Sequence, residues 1–261
     1  DTWRISLSII GYSLCSSLLL LVNKRVLLVF SAPATLLLCQ CSFSVGFLAL
    51  AHLTGKFTVL QPIISTETSR FILVVGLFVL TLLTSMKTLQ FSNVDTVVCV
   101  RMTAPLLISF LEYFTLGREL PSTRSFLSMV GVALCFSLYF FSGSRHDARA
   151  ATWLSIWYLG LLFEALYVKH AVSKSELSAV GQSFYQNLFS IPLFAFVALF
   201  TEQASILALD GKSPVDTILF VLSCALGLGM SYSSFLLRNQ ISATSFHIVG
   251  NSCKIITILI N

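Results

Sequence analysis

Two cations lie where cations are expensive. Arg101 falls inside the apolar run 94–116, and Lys254 inside the run 242–260. An unpaired Arg or Lys at the centre of a membrane helix costs about 2.5–3.5 kcal/mol on insertion scales. A chain retains such a residue when a negative group comes to meet it. Glu164 is the acid best centred in an apolar run, and one carboxylate cannot neutralise two bases. The surplus points to an anionic small molecule held near the membrane midplane between two related parts of the chain. The competing expectation is internal pairing of Glu164 with either cation.

Polar clusters in apolar surroundings add recognition chemistry. Tyr185, Gln186 and Asn187 open one run, and two adjacent carboxamides can donate and accept along the edge of a base or a ribose. They could equally serve as hydrogen-bonding glue between helices. Gly250, Asn251 and Lys254 sit within one helical turn or so, and Asn251 and Lys254 share a face. Gly227, Gly229, Ser231, Ser233 and Ser234 place small residues along another run, which favours close helix packing and leaves hydroxyls to line a cavity. Tyr12 is well inside the first run, and Lys24 ends it with Arg25. A buried tyrosine needs a partner for its hydroxyl, while Lys24 could snorkel to the interface. His247 precedes Asn251 by one turn, in the place of a hydrogen-bonding strut. Glu112, near the end of run 94–116, can reach the lipid headgroups.

Several function classes drop out. The chain has no His-Glu-x-x-His, no Gly-x-Ser-x-Gly and no pair of intramembrane aspartates, so no catalytic residue and no enzyme is expected. Its seven cysteines lie in apolar runs without metal-ligand spacing. They read as small buried hydrophobes, with no disulfide framework, metal site or cofactor. No basic run of the kind that grips nucleic acid is present.

These residues must be positioned by membrane helices. Of 261 residues, 56% are hydrophobic and 10% charged, against about 25% charged in a soluble domain. The chain is therefore expected to be all-α and polytopic, because only helices and closed barrels satisfy their backbone in lipid. With about 20 apolar residues per crossing, the runs predict nine spans: 3–23, 33–54, 71–90, 94–116, 123–142, 152–172, 180–201, 215–237 and 241–260. A cytosolic N-terminus puts eight cations, Lys169 and Arg238 among them, on the cytosolic side against six opposite, a slight positive-inside bias. The polar stretch 142–150 divides the chain near its middle. Residues 1–145 supply five spans and 146–261 four. The openings of spans four and nine look like counterparts, each leading to its buried cation. This fits two inverted halves of five, the tenth span lying outside these 261 residues. The chain begins at Asp1 and stops at Asn261 inside an apolar run, so both ends are expected to be trimmed. Small-residue faces leave room for a homodimer in the lipid.

Through most of its length the chain resembles the nucleotide-sugar transporters of the drug/metabolite transporter superfamily, and within them the branch carrying GDP-mannose and related GDP-sugars. The resemblance is carried by Tyr12 with Asn23-Lys24, Phe184-Tyr185-Gln186-Asn187, the stretch 241–246 and Gly250-Asn251-Ser252-Cys253-Lys254. The stretches 164–170 and 116–119 add to it. In that family a Phe-Tyr-Asn-Asn motif and a Gly-Ala-Leu-Asn-Lys motif help bind nucleotide. The resemblance implies a ten-helix fold, with Gln186 and Asn187 on the nucleoside and Gly250 and Lys254 flanking base and phosphates. Tyr12 and Ser231 match family residues that line the same cavity. Two departures fall in the nucleotide-reading residues: Gln186 replaces the first Asn, and Asn251-Ser252-Cys253 replaces Ala-Leu-Asn.

The expectation is a Golgi-membrane antiporter that imports a GDP-sugar and returns GMP by alternating access. Arg101 and Lys254 would neutralise phosphates. Gln186, Asn187 and Asn251 would read base and ribose, and Tyr12 and Ser231 would touch the sugar end. Lys24 and Tyr185 complete the expected site. The rival expectations are a carrier of UDP-sugars or sugar phosphates on the same fold, a non-transporting membrane scaffold or receptor, and, without positive support, an intramembrane enzyme.

Overall fold

A computed structural model of the chain describes residues 2–55, 65–92, 94–117, 119–142, 148–202 and 213–260. Within them every regular element is an α-helix: α1 Thr2–Val29, α2 Pro33–Leu53, α3 Ser65–Phe91, α4 Val94–Leu116, α5 Thr123–Ser142, α6 Ala148–Ser173, α7 Ala179–Thr201, α8 Pro214–Gln240 and α9 Ala243–Ile260. The nine apolar runs coincide with these helices. Seven, namely α1–α4 and α6–α8, are long and apolar enough over their described residues to cross a membrane. The polar stretch 143–147 and the side chain of Lys254 lie outside the described residues.

Helix α1 shows how the chain solves its solvent problem. Leu7, Ile10, Leu14 and Leu18 are exposed, while Ser8, Tyr12, Ser16 and Asn23 are buried. The apolar face meets lipid and the polar face turns inward, because the surroundings offer hydroxyls nothing to bond with. Many hydroxyls bond back to the carbonyl four residues earlier instead. Examples are Ser44 to Gln40, Ser190 to Gln186 and Ser233 to Gly229.

The helix neighbours follow a pattern. Helix α1 packs along α8 and α6 along α3; α2 lies against α7 and α4 against α9. Helix α2 also meets α8 as α7 meets α3, and α1 meets α9 as α6 meets α4. Exchanging each helix with the one five places away maps these contacts onto one another. Trp157 of α6 anchors one packed centre among Val100, Ala104 and Ile108 of α4 and Ala243 of α9. Leu37 and Cys41 of α2, Val75 and Val79 of α3 and Phe194 of α7 form another. Close approach is bought with glycine at two crossings. A Cβ on Gly229 would stand 2.9 Å from the Cys15 sulfur, and one on Gly227 3.3 Å from Gln40 Cβ. All seven cysteines are free thiols, and Cys135 is exposed rather than buried.

Two helix starts are capped from a distant helix. Glu202, just past α7, accepts from the backbone N–H groups of Ala34 and Thr35, both at 2.8 Å, and from the Thr35 hydroxyl at 2.9 Å. Glu112, in the last turn or so of α4, accepts from the N–H of Ala243 at 3.3 Å, the N–H of Thr244 at 3.2 Å and the Thr244 hydroxyl. Glu112 is therefore buried and does not reach the headgroups. The unpaired N–H groups of a helix start attract its carboxylate more strongly than a route to the interface does.

Candidate functional site

A cavity of about 220 Å³ opens among the helices. One water needs on the order of 10–15 Å³ of such space, so there is room for a small molecule. Helix α1 contributes Tyr12, Ser16, Leu19, Leu20 and Asn23, and α8 contributes Gly227, Met230, Ser231, Ser234, Phe235 and Arg238. Both sets recur at three- and four-residue steps, one face of each helix over twelve residues, eleven steps apart end to end. That is a length of about 16 Å at 1.5 Å per residue.

The two helices run antiparallel, which gives the cavity two unlike ends. At one end, Asn23 joins Gln40 of α2 and Ser223 of α8. Gln40 Nε2 donates to Asn23 Oδ1 at 3.0 Å and to the Ser223 hydroxyl, which itself donates to Asn23 Oδ1 at 2.7 Å. This end is neutral and its polar atoms serve one another. At the other end, Tyr12 lies within electrostatic reach of Arg101, Arg238 and Glu164. All four line the cavity, together with Phe246 and His247 of α9.

The charged end is assembled from α4, α6 and α8. Arg238 Nη2 meets Glu164 Oε1 at 3.1 Å, and the guanidinium lies 4.5 Å from the centre of the Phe246 ring. Lys169 is buried and donates to the carbonyls of Arg238 at 2.6 Å and Ile241 at 2.7 Å, which caps the end of α8. Arg238 and Lys169 are thus interior residues, not members of a cytosolic charge belt. Glu164 does pair internally, but with Arg238 instead of Arg101. Among the described residues no carboxylate forms an ion pair with Arg101, and the Nε atoms of Arg101 and Arg238 are buried without a hydrogen-bond partner.

Arg101 is positioned by a break in its own helix. Pro105 lies inside α4 and has no N–H, so the carbonyl four residues earlier, that of Arg101, loses its helical donor. Asn251 Nδ2 of α9 supplies the replacement at 3.1 Å. Asn251 is buried and lies outside the cavity lining, so it fixes the backbone beneath the cation. Its Oδ1 has no partner among the described residues. Gly250 also stands behind the lining. A Cβ there would sit 3.0 Å from the Tyr12 hydroxyl, so glycine lets Tyr12 seat against α9.

Helix α7 supplies the carboxamides. Gln186 and Asn187 both line the cavity. Asn187 Nδ2 donates to the Ser183 carbonyl at 2.7 Å and to the Ser231 hydroxyl at 2.8 Å, and Ser231 bonds Ser183 at 2.7 Å between hydroxyls. Asn187 and Ser231 therefore join α7 to α8 while facing the cavity. Tyr185 lies outside the lining and stacks on Phe189 at 5.9 Å. Lys24 is exposed and also outside it; with Asn23 turned inward, the next residue on a helix must point elsewhere.

The cavity thus unites Tyr12, Arg101, Gln186, Asn187 and Ser231 from the sequence expectation. It adds Asn23, Gln40, Glu164, Arg238 and His247. Arg238 carried a signal that counting loop charges hid: it ends an apolar run as the only cation of that run. Gln40 stood unnoticed between two cysteines.

The chain matches no family model. It is 31% identical to GDP-fucose transporter 1 of Arabidopsis thaliana over 97% of this chain and 76% of that protein. It is 28% identical to the GDP-mannose transporter GONST3 of the same plant, over 96% of this chain and 69% of the relative. It is 22% identical to a GDP-mannose transporter of Meyerozyma guilliermondii, over 93% and 73% respectively.

Proposed function

The chain belongs to the family of GDP-sugar nucleotide-sugar transporters, and on that premise we propose that it carries a GDP-sugar across the Golgi membrane in exchange for GMP. It is a multi-pass membrane protein and a transporter, not an enzyme. One observation carries the proposal furthest: Arg101 lines a cavity walled by carboxamides and has no carboxylate in an ion pair with it among the described residues. A buried cation without an internal counter-charge is costly, and a phosphate removes that cost.

The charged end around Arg101 takes the phosphates, with Lys254 as a second neutralising group. Gln186 and Asn187 face the nucleoside, and the neutral end offers further hydrogen bonds to hydroxyls. Asn251 acts one step back, through the Arg101 backbone. A nucleotide diphosphate sugar and a nucleoside monophosphate each carry about two negative charges near neutral pH, so one positive site serves both. Residues 1–145 and 146–261 act as inverted halves, a division supported by the five-place exchange of helix neighbours, and transport proceeds as they rock about the cavity.

Counterflow in proteoliposomes tests this. Uptake of labelled GDP-mannose should rise severalfold when the vesicles are preloaded with GMP, and GMP should compete better than UMP, CMP or sugar phosphates. Uptake indifferent to preloading would remove antiport. Preference for UMP or for a sugar phosphate would reassign the substrate.

A further inference from the structure

Among the described residues, the charged end of the cavity holds two guanidiniums and one carboxylate, and the carboxylate is committed to the less obvious cation. Arg238 ends α8, its side chain 14% exposed, and Glu164 is 11% exposed. Both line the cavity. They meet through a single contact, Nη2 to Oε1 at 3.1 Å, although a guanidinium and a carboxylate can form two parallel hydrogen bonds. The Arg238 Nε is buried and has no hydrogen-bond partner among the described residues. The pair is thus incomplete on the side of the arginine.

The pair is also not what anchors the end of α8. Lys169 does that, through the carbonyls of Arg238 and Ile241. Glu112 holds the start of α9 just beyond, at Ala243 and Thr244. The backbone on both sides of the α8–α9 turn is therefore fixed without Glu164. The Arg238 guanidinium, laid on the Phe246 ring, can exchange one anion for another without displacing either helix. Phe246 lines the cavity too, so the stacked guanidinium and Arg101 border the same space.

We propose that Glu164 is a built-in substitute for the substrate's phosphate: it neutralises Arg238 in the empty carrier and yields it to an entering phosphate, which Arg238 and Arg101 then grip together. This deepens the nucleotide-sugar proposal and rests on it. Glu164 sets affinity as an intramolecular competitor. It also lets the unloaded carrier change conformation, because without ligand it is the one carboxylate paired with a guanidinium there among the described residues. Removing its charge exposes two bare cations to each other, tightens ligand binding and slows the empty return.

The test is ligand-dependent thermal stabilisation of the purified full chain. GMP and inorganic pyrophosphate are titrated against wild type, Glu164→Gln and Arg238→Gln. Glu164→Gln should lower the half-saturating GMP concentration by roughly five- to tenfold, the range of a partly desolvated charge pair. Arg238→Gln should raise it. In the Arg238→Gln background, Glu164→Gln should bring no further tightening. In vesicles Glu164→Gln should lower uptake without internal nucleotide more than it lowers exchange. Glu164→Asp retains the charge on a shorter arm and should bind GMP with intermediate affinity. If Glu164→Gln does not fold, that variant decides the matter in its place. If wild type responds to GMP and neither glutamate variant binds it more tightly, Glu164 is structural glue and the proposal falls while the transport reading stands. If wild type ignores nucleotides but Glu164→Gln gains pyrophosphate binding, the substrate reading falls and the counter-anion role stands. If no protein responds to either probe, both fall.

Discussion

The two ends of the cavity are both polar, yet they are built on opposite rules. At the neutral end, Asn23, Gln40 and Ser223 bond to one another, and no charge is left to balance. At the charged end, Arg101 faces the same space with no carboxylate in an ion pair and an idle Nε among the described residues. A buried polar group is evidence of function to the extent that the protein itself leaves it unsatisfied. The neutral end is a brace that a ligand can brush against. On the proposed reading, the charged end is completed by the phosphate of the ligand.

The largest effect follows from that contrast. Arg101→Ala should cut GDP-sugar uptake by at least about thirtyfold, the usual scale for removing one member of a desolvated charge contact. Its melting temperature in ligand-free detergent should hold or rise, because an uncompensated buried cation has been removed. Lys24→Ala, at an exposed position, should leave uptake within about twofold. Uptake assays and thermal unfolding on the same preparations check all three expectations. A cold, inactive Arg101→Ala protein would make Arg101 a brace as well and erase the contrast.

Asn23→Leu should do the reverse. It removes the acceptor used by the Ser223 hydroxyl and by one N–H of Gln40, whose other N–H keeps Ser223, at about 1–3 kcal/mol for each bond that nothing replaces. The loss should appear in chemical or thermal unfolding. Gln40→Met added to Asn23→Leu should cost less than Gln40→Met alone, since the bond is already broken. Additive losses would mean that the three side chains do not act as a unit.

How much of this was legible in the letters differs between the two ends. All nine helices of the described residues could be read, because about 20 consecutive apolar residues have few other uses, and α2 and α7 begin and end within about two residues of their apolar runs. Arg101 could be read because a lone cation in such a run is conspicuous. Its partners could not. Arg238 sits where an apolar run ends, and one-dimensional counting gives such a residue to the aqueous phase. That α8 ends beside Glu164 is a fact of packing, 74 residues apart in sequence. Glu112 and Glu202 were hidden in the same way. Each looks like an ordinary helix-end acid until another helix start lies against it. Tyr185 and Lys24 show the opposite failure. Their neighbours Gln186 and Asn23 face the cavity, and a motif quoted as a block carries along residues that the helix turns elsewhere.

The remote caps repeat this contrast on a smaller scale. Glu112→Gln and Glu202→Gln should each lower stability by about 1 kcal/mol, the typical value of a charged or capping contact at a helix N-terminus. Thermal unfolding reads both. Only Glu112 holds the start of the helix that carries Phe246 and His247 to the charged end, so Glu112→Gln should also slow exchange. Glu202→Gln should change stability alone. Equal losses of transport would show that both caps move in the cycle and are not fixed supports.

The smallest effect concerns one ångström-scale contact. The Tyr12 hydroxyl would lie 3.0 Å from a Cβ at position 250, whereas its ring carbons would lie 3.6 and 3.7 Å away. Gly250→Ala therefore crowds the hydroxyl and leaves the ring in ordinary contact. The tyrosine must shift by a few tenths of an ångström at the charged end, where it neighbours Arg101, Arg238 and Glu164. Gly250→Ala should weaken GMP binding severalfold in the thermal-shift titration, with little change in ligand-free stability. Tyr12→Phe removes the crowded atom. The double variant Gly250→Ala with Tyr12→Phe should then bind GMP as Tyr12→Phe does alone. If the two losses add instead, the glycine is serving α9 and not the tyrosine, and the charged end is positioned by Asn251 beneath Arg101 without help from the opposite wall.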